Sequence, residues 1–443
     1  MKVSGFDWDG KDPRGLAAEL RALQPQLDEV SDAVAEIIAA VEDEGDAAVL
    51  RYEERFGTRP GSLRVADGEL ISAVSALQPQ IRDALEEAAG NVTDIAQRAQ
   101  MIAEVGVATA SFGNADREDA EEADGGNVAI SRQSVPVAAA GAYAPGGKAA
   151  YPSTAIMCCV PARVAGVARI ALVSPPGEDG RVNPLALGAA SLAGATEVYA
   201  MGGAQAVAAL ALGTGSIEPV DIIVGPGNRY VTEAKRQLVG RVGIDGIAGP
   251  SELMVIADGS VEARLLALDL CAQAEHGEDG LLVLCASDQA QLDEIGRLAS
   301  ELAATRPSVN EAPLALVKAP GTEPALELAN ALAPEHLELA CADADSISEG
   351  VRYAGCVFVG RNGATAFGDY AAGSNHVLPT GGAGRFQGPL GPDTFRRPIT
   401  RVTITAEGAR ELAPVVATLA EAEGFPVHGE SAIARIDDEE GAK

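Results

Sequence analysis

The run Glu252-Leu-Met-Val-Ile-Ala257 is followed by the alanine- and leucine-rich stretch Val261–Glu275 and then by a second short apolar run, Leu281-Leu-Val-Leu-Cys285. Short, continuous apolar runs are typical of strands that are buried on both faces, whereas the longer stretch between them has the spacing of a helix. Strands that alternate with helices in this way predict βαβ units and a parallel sheet.

The same alternation continues on both sides of this stretch. Towards the carboxyl terminus we predict the helices Gln289–Ala304, Glu323–Ala333 and Ser346–Tyr353 and the strands Leu314–Val317, Leu337–Ala340 and Cys356–Val359. An earlier series comprises the strands Ala168–Ser174, Glu197–Met201 and Asp221–Gly225 and the helices Pro152–Val167, Asn183–Ala193, Ala204–Leu212 and Arg229–Val239. The fold class predicted is therefore α/β, with two successive doubly wound parallel-sheet domains, incomplete Rossmann-like units.

The two ends of the chain have different patterns. Residues 13 to about 105 are predicted to be helical, including Val30–Phe56 and Pro79–Gln100, and the polar segment around Glu118–Gly126 is predicted to be a loop or hairpin. Beyond about residue 380 a Gly/Pro-rich stretch leads to an amphipathic helix, Glu407–Glu423, and a tail that is too small to fold alone. We predict four parts: 1–135, a helical segment packing on the second α/β unit; 136–248; 249–380; and the docking tail 381–443.

Composition restricts the partners of this protein. The 443 residues include 64 Asp and Glu against 33 Lys and Arg, a net charge of −31, so nucleic acid and anionic membranes are not expected to bind. The acids are spread along the whole chain, which suggests a halophile-like acidic surface adapted to a salt-rich cytoplasm. We therefore expect the melting temperature to rise steeply with KCl concentration, and a flat response would exclude this interpretation.

Neither a secretory signal nor a membrane span is predicted. The amino-terminal residues are polar, and the most apolar region, Thr154–Val173, is interrupted by Pro161 and two arginines. The six cysteines contain no C-x-x-C motif and lie mostly in apolar runs, so we expect them to be reduced packing residues of a cytoplasmic protein.

The chain has only four histidines, and each lies beside acids, amides or Gly/Pro turns. Gln273 and His276 lie three residues apart at the predicted end of a helix, where their side chains share one face. Asp369 and the distant His428 could complete a closed set of nitrogen and oxygen ligands, for which the metal would be Zn²⁺ or a related borderline ion. The alternative is that these histidines are ordinary core or surface residues, and Gln is a weak ligand that this pattern alone would not select.

Glu335 and His336 are adjacent at the entrance to a predicted strand. A carboxylate that can activate water beside an imidazole that can move a proton suits the oxidation of an alcohol through a hydrated aldehyde. An ordinary surface Glu-His pair at a helix–strand junction is the alternative.

Glycine-rich turns follow several strands of the first α/β series: Ala144-Pro-Gly-Gly147, Gly202-Gly-Ala-Gln205 and Gly225-Pro-Gly-Asn228. Turns at the carboxyl ends of parallel strands are where ligands bind in open α/β sheets. No G-x-G-x-x-G motif opens a helix in this series, so a nucleotide would have to be held in a different way from an ordinary Rossmann domain.

Taken together, these segments resemble histidinol dehydrogenase over nearly the whole chain from about residue 30. The motifs that carry the resemblance are Tyr143–Gly147, Gly202–Gln205, Gly225–Asn228, Thr232–Arg236, Gly249–Glu252, Gln273–Gly277, Ala333–Leu337, Gly368–Tyr370 and Asn375–Thr380. The resemblance implies a Zn²⁺-dependent, NAD⁺-linked enzyme that oxidises L-histidinol through histidinal to L-histidine with two NAD⁺ per substrate.

The resemblance also implies roles for individual residues. Gln273, His276, Asp369 and His428 would be the zinc ligands and contact the substrate, which the metal holds through its imidazole and amine. His336, a substrate contact too, would be the general base, and Glu335 would activate water. The further substrate contacts would be Ser251, His376 and Glu423, and the NAD contacts would be Tyr143, Gln205 and Asn228.

For the predicted parts, the resemblance makes 136–248 the NAD-binding domain and 249–380 the zinc and substrate domain. It implies a homodimer in which the tail 381–443 crosses to the partner subunit, so that Glu423 and His428 serve the neighbouring site. Three other functions stay open: a relative that oxidises another small polar alcohol, a zinc hydrolase or deaminase, and a non-catalytic binding protein. Glu423 and His376 favour the cationic, imidazole-bearing histidinol over the first, and the Glu335–His336 pair has no use in the last.

Overall fold

The protein is described by a computed structural model covering residues 1–24, 30–104, 109–112, 127–146 and 150–437. The predicted loop around Glu118–Gly126 and the turn residue Gly147 lie outside these ranges. The chain divides into two units, one comprising Met1–Gln100 and Val137–Phe395 and the other Met101–Pro136 and Arg396–Lys443.

The amino-terminal half contains these elements: β1 (Lys2–Asp7), α1 (Pro13–Arg21), α2 (Ser31–Glu44), α3 (Asp46–Phe56), α4 (Asp67–Ala76), α5 (Pro79–Glu104), β2 (Thr109–Phe112), β3 (Val128–Pro136), β4 (Ala139–Tyr143), α6 (Pro152–Ala165), β5 (Arg169–Ser174), α7 (Pro184–Ala193), β6 (Glu197–Ala200), α8 (Gly203–Leu212), β7 (Ile222–Val224), α9 (Arg229–Leu238) and β8 (Gly243–Ile244). The remainder contains β9 (Glu252–Ala257), α10 (Ala263–Ala274), β10 (Leu281–Ala286), α11 (Gln289–Ala304), β11 (Pro313–Lys318), α12 (Thr322–Leu332), β12 (His336–Ala340), α13 (Ala344–Ser348), β13 (Cys356–Val359), α14 (Thr365–Tyr370), β14 (Arg396–Ile404), α15 (Ala406–Ala422) and α16 (Pro426–Asp437).

The first unit contains the two predicted parallel sheets. In the described part of the chain, one has the strand order β6-β5-β4-β7-β8 and the other the order β1-β11-β10-β9-β12-β13. In each sheet the chain adds strands on one side of a central strand and then returns to add strands on its other side. This reversal lies between β4 and β7 in the first sheet and between β9 and β12 in the second. The prediction of two doubly wound sheets is confirmed, and these reversal points are the places where such sheets form ligand crevices.

Strand β9 shows why the apolar run Glu252–Ala257 is buried. Leu253 and Val255 pack in the core on one face of the sheet, whereas Met254 and Ile256 pack in the core on the other face. Because successive side chains of a strand point to opposite faces, a strand covered by helices on both sides must be apolar throughout.

The amino-terminal segment differs from the prediction in its packing. Strand β1 pairs in parallel with β11 and helix α1 packs on α12, so these two elements do join the second sheet. Helices α2, α3 and α4 instead pack on α8 and α7 of the first sheet. The prediction that the whole 1–135 segment packs on the second α/β unit is therefore wrong for α2–α4. The physical reason is the apolar stripe of α2, whose Val34, Ile37 and Val41 are buried in the same core as Val207 of α8.

Other predicted elements are shifted or divided. The predicted helical stretch Val30–Phe56 is two helices, because Gly45 has φ +59° and ends α2 before α3 begins. The predicted helix Ser346–Tyr353 is the shorter α13, and the predicted helix Val261–Glu275 is α10, which His276 follows as predicted.

The second unit contains an antiparallel sheet of β14, β3 and β2, followed by α15 and α16, which pack on each other. Helix α15 was predicted, whereas β14 was not.

Within the ranges that the structure covers, no helix is long and apolar enough to cross a membrane. The six cysteines carry free thiols, as predicted.

Candidate active site

Glu335 and His336 lie at the amino end of β12, beside the start of β9, and thus on the edge of the second sheet opposite the carboxyl ends where open α/β sheets usually bind ligands. Both side chains are buried, with 6% and 3% of their surface exposed. Ala333 ends α12 in the left-handed region at φ +49°, which turns the chain abruptly into the strand. His336 pairs with Leu253 on one side and Cys356 on the other, so the strand ladder fixes its backbone firmly.

Glu335 is held by a second buried carboxylate, Glu252. The backbone N–H of Glu252 donates to Oε2 of Glu335 at 2.8 Å, and the N–H of Glu335 donates to Oε2 of Glu252 at 3.3 Å. Arg21 forms an ion pair with Glu252, and Gly381 donates its N–H to the same carboxylate. Burial raises the pKa of Glu252, although Arg21 opposes this effect. The reciprocal bonds fix the direction of the Glu335 carboxylate.

His336 has distinct partners at its two ring nitrogens. Nδ1 lies 3.1 Å from the carbonyl oxygen of Glu252, so Nδ1 carries the proton that this acceptor requires. Nε2 lies 3.7 Å from Oδ1 of Asp369. Burial lowers the pKa of His336, but the carboxylates of Glu335 and Asp369 outweigh it and raise the pKa to about 10. The orientation thus presents Nε2 for proton transfer.

Asp369, on α14, lies between two imidazoles. Its Oδ2 lies 3.7 Å from Nε2 of His276, and its Oδ1 faces His336. Burial raises the pKa of Asp369, but His276 and His336 together lower it well below the usual range, and Asp369 in turn raises the pKa of His276. The carboxylate is therefore ionised throughout the neutral range.

Gln273, in the last turn of α10, is 4% exposed, and neither atom of its side-chain amide has a hydrogen-bond partner among the described residues. A buried amide without partners costs free energy unless something else bonds to it, so this side chain fits a role as a ligand. Across the described ranges, however, no group of three or more His, Cys, Asp or Glu side chains has the geometry of a metal site. Of the predicted ligands in this unit, His276 and Asp369 are in contact and Gln273 lies in the helical turn just before His276, so these three could hold a metal.

His376 and Ser251 line a narrow cavity of about 80 Å³ together with Glu335. The Nδ1 of His376 lies 2.9 Å from the carbonyl oxygen of Asp369, and its Nε2 lies 3.2 Å from the Thr154 hydroxyl. Burial lowers the pKa of His376, so its ring stays neutral. A neutral ring in this position can exchange hydrogen bonds with a polar substrate.

The three predicted cofactor residues, Tyr143, Gln205 and Asn228, line a separate cavity of about 620 Å³. It lies at the carboxyl ends of the strands of the first sheet, which contains the reversal point between β4 and β7, and its volume is typical of a small-molecule site. Gly227 lines both this cavity and the narrow one. The walls of the two cavities thus meet at Gly227, and Glu335 and His376 line the narrow one.

The remaining predicted residues, Glu423 and His428, belong to the second unit. Glu423 caps α15 and is exposed, and His428 lies exposed in the first turn of α16 with its ring 5.6 Å from that of Phe425. Their relation to the other site residues stays a prediction.

Three site residues were not predicted. Glu252 stands at the start of an otherwise apolar strand, and a charge in such a position was a signal that could have been used. Lys235, buried at 2% exposure, bonds to the carbonyl oxygen of Gly225 and to Asp245, whose carboxylate accepts the N–H of Gly225. This pair clamps the turn before Asn228, and lysine is otherwise rare in the chain.

The chain was compared with known proteins. The family model for histidinol dehydrogenase matches residues 21–436. Curated histidinol dehydrogenases from Rhodospirillum rubrum and Burkholderia mallei are 43% and 41% identical, covering 95% and 98% of this chain and 96% and 98% of their own lengths. The crystal structure of histidinol dehydrogenase from Elizabethkingia anophelis superimposes with a TM-score of 0.86 at 29% identity, covering 99% of this chain and 98% of that one.

These matches extend over nearly the whole chain and include all the motifs around the two cavities. The chain therefore belongs to the histidinol dehydrogenase family, whose members are NAD-dependent oxidoreductases that oxidise histidinol in the biosynthesis of histidine.

Proposed function

We propose that the Glu335–His336 pair carries out two successive oxidations of L-histidinol beside a zinc ion held by Gln273, His276, Asp369 and, from the partner subunit of a homodimer, His428. The observation that supports this proposal is that Gly227 lines both cavities, the large one with the three predicted cofactor residues and the narrow one with Glu335. When bound, Zn²⁺ supplies positive charge that holds the substrate's imidazole and amine and lowers the pKa of His336 towards neutrality.

In the first oxidation, Nε2 of neutral His336 accepts the hydroxyl proton while the carbinol hydride passes to NAD⁺, giving histidinal and NADH. The bond from Nδ1 to Glu252 supports this role, because it holds the ring in the tautomer with an unprotonated Nε2. Ser251 and His376 contact the substrate from the wall of the narrow cavity.

In the second oxidation, Glu335 removes a proton from water as it adds to the aldehyde, and His336 gives the proton taken in the first step to the aldehyde oxygen, which forms the hydrate and leaves His336 neutral again. The resulting hydrate loses its hydride to a second NAD⁺ and its hydroxyl proton to His336. One L-histidinol, two NAD⁺ and one water thus give L-histidine, two NADH and three protons. The fixed direction of the Glu335 carboxylate supports this assignment, because a general base must face its water.

The experiment that tests this function is the stoichiometry of NADH. With Zn²⁺, limiting L-histidinol and excess NAD⁺, we expect two NADH per histidinol, followed by absorbance. One NADH per histidinol would show that the reaction stops at the aldehyde. No NADH from protein with confirmed bound zinc would contradict the proposal.

The proposed homodimer is supported by the surface of the second unit. Its exposed apolar side chains include Val402, Ile404, Leu412, Val415, Val416, Leu419, Phe425 and Val427. Large exposed apolar patches mark association surfaces, and a partner subunit would cover this one.

The free thiols support our placing of the enzyme in the cytoplasm.

Shared sites predict complementation between two inactive variants. When His336→Asn and His428→Ala chains are co-expressed, random pairing puts about half of the chains in hybrids with one intact site, so about a quarter of wild-type activity should return. Each variant alone is the control. If His428 served its own subunit, hybrids would have no intact site and no activity would return.

A further inference from the structure

Glu53 is a buried acid in the proposed cofactor cavity. It lies on α3 and is 4% exposed, whereas its neighbours Glu54 and Arg55 face solvent. One carboxylate oxygen, Oε1, accepts two hydrogen bonds of 2.8 Å, from the backbone N–H of Gly202 and from Nε2 of Gln205. Both donors are neutral, so the charge of Glu53 is not cancelled by these contacts.

These bonds occupy the amino end of α8, the helix that follows β6. Glu53 takes the N–H of Gly202, and the hydroxyl of Tyr143 accepts the N–H of Gly203 at 3.0 Å. In ordinary dinucleotide-binding folds such free N–H groups at a helix start hold the cofactor's phosphates. Here the chain's own oxygens bind them, and a carboxylate beside them repels phosphate.

The amide of Gln205 is oriented by the same contact. With Nε2 bonded to Glu53, Oε1 of Gln205 is buried and has no hydrogen-bond partner in the described part of the chain, and the residue itself lines the cavity. Such an acceptor requires a donor from the ligand. The part of the cofactor that binds here must therefore carry a hydroxyl or amino group and no negative charge.

The position of Gln205 identifies which part of NAD⁺ this is. The nicotinamide must lie near Gly227, which borders the narrow cavity, because the hydride comes from there. Gly227 follows β7 and Gln205 follows β6, and β4 and β5 lie between these strands. At about 4.8 Å per strand, the two strand ends are roughly 14 Å apart. The adenosine half of the cofactor therefore reaches Gln205.

We propose that Glu53 is a positioning and specificity residue, which aims Gln205 Oε1 at a ribose hydroxyl of the adenosine and excludes the 2′-phosphate of NADP⁺. This inference rests on the proposed cofactor site. It gives the amino-terminal helical segment a role in the selectivity of the enzyme for NAD⁺ over NADP⁺.

The test compares Glu53→Gln and Glu53→Ala with the wild type, using NAD⁺ and NADP⁺. Burial raises the pKa of Glu53 to about 7, so the assay is run at about pH 9, where the wild-type side chain is ionised. Glu53→Gln keeps an oxygen for both bonds and removes the charge, so kcat/KM for NADP⁺ relative to NAD⁺ should rise about tenfold. Glu53→Ala should also raise KM for NAD⁺ about tenfold, with a smaller effect on kcat and none on KM for histidinol.

Two further variants separate the possible failures. Glu54→Gln, on the exposed side of the same helix, should change neither the cofactor ratio nor KM. Gln205→Leu should raise KM for NAD⁺, and if it does not, the proposed cofactor site itself is wrong. If Gln205→Leu raises KM but both Glu53 variants keep the wild-type ratio and KM, or lose only kcat and thermal stability, the inference about Glu53 is overturned.

Discussion

Replacing His336 with Asn lowers kcat for histidinol oxidation by about 10² or more, the usual effect of losing a general base. The imidazole is buried at the start of β12 with Nδ1 on the carbonyl oxygen of Glu252, and Asn fits in that space but cannot accept the hydroxyl proton. Steady-state kinetics measure the loss, and metal analysis should find unchanged zinc content, because His336 is not among the proposed ligands.

Glu335→Gln serves as the comparison for this variant. It should retain the first oxidation and slow the second, so that about one NADH forms rapidly per histidinol and aldehyde accumulates. Loss of zinc from His336→Asn would mean that His336 is a ligand and not the base. A kcat within twofold of the wild type would remove it from the mechanism.

The second large effect is expected from Asp369→Asn, which should lose its zinc during gel filtration and fall in activity by about 10³ or more. The carboxylate lies between His276 and His336, and its low pKa shows how strongly positive charge around it favours the ionised form. A neutral amide in its place gives up the only negative charge of the proposed ligand set, and the affinity for a dication falls accordingly.

Zinc per subunit, measured by mass spectrometry after chromatography, is the primary measurement, because it does not depend on turnover. Asp345→Asn, an exposed acid on α13, is the matched control and should keep its metal. Stoichiometric zinc in Asp369→Asn under competition from a chelator would show that the metal is held elsewhere.

Strands could be predicted where burial on both faces requires a continuous run of large apolar residues. Strands such as β9 and β10 are apolar throughout because helices cover both faces, so they were found nearly to the residue. Strands β1 and β14 were missed because most of their side chains are exposed at sheet edges, where nothing selects an apolar run. The buried strand β4 was missed too, because its run Ala-Ala-Gly-Ala-Tyr lacks the β-branched residues that are typical of strands. The packing of α2 on the first sheet could not be predicted either, because an apolar stripe on a helix does not specify which core it packs in.

The candidate site depended on two kinds of information. Residue types and spacing singled out Glu335, His336 and His276, whereas Gln273 as a ligand and the roles of all these residues came from the resemblance. The hydrogen bonds between Glu252 and Glu335 depend on β9 and β12 being neighbours, which no local pattern specifies. Glu53 carried no signal at all, because one buried acid on a helix with exposed acids looks like its neighbours until the tertiary structure is known.

The pairing of β1 with β11 has a consequence for how this chain is made. Lys2 lies opposite Pro313, so β1 has no partner until synthesis has reached β11, far along the chain. During that time the backbone donors and acceptors of β1 are open to other chains, and β1 can pair with β11 only after a very long loop has closed. Such nonlocal pairing favours slow folding with help from chaperones. A fusion partner placed directly before Lys2 would interfere with the pairing of β1 and β11.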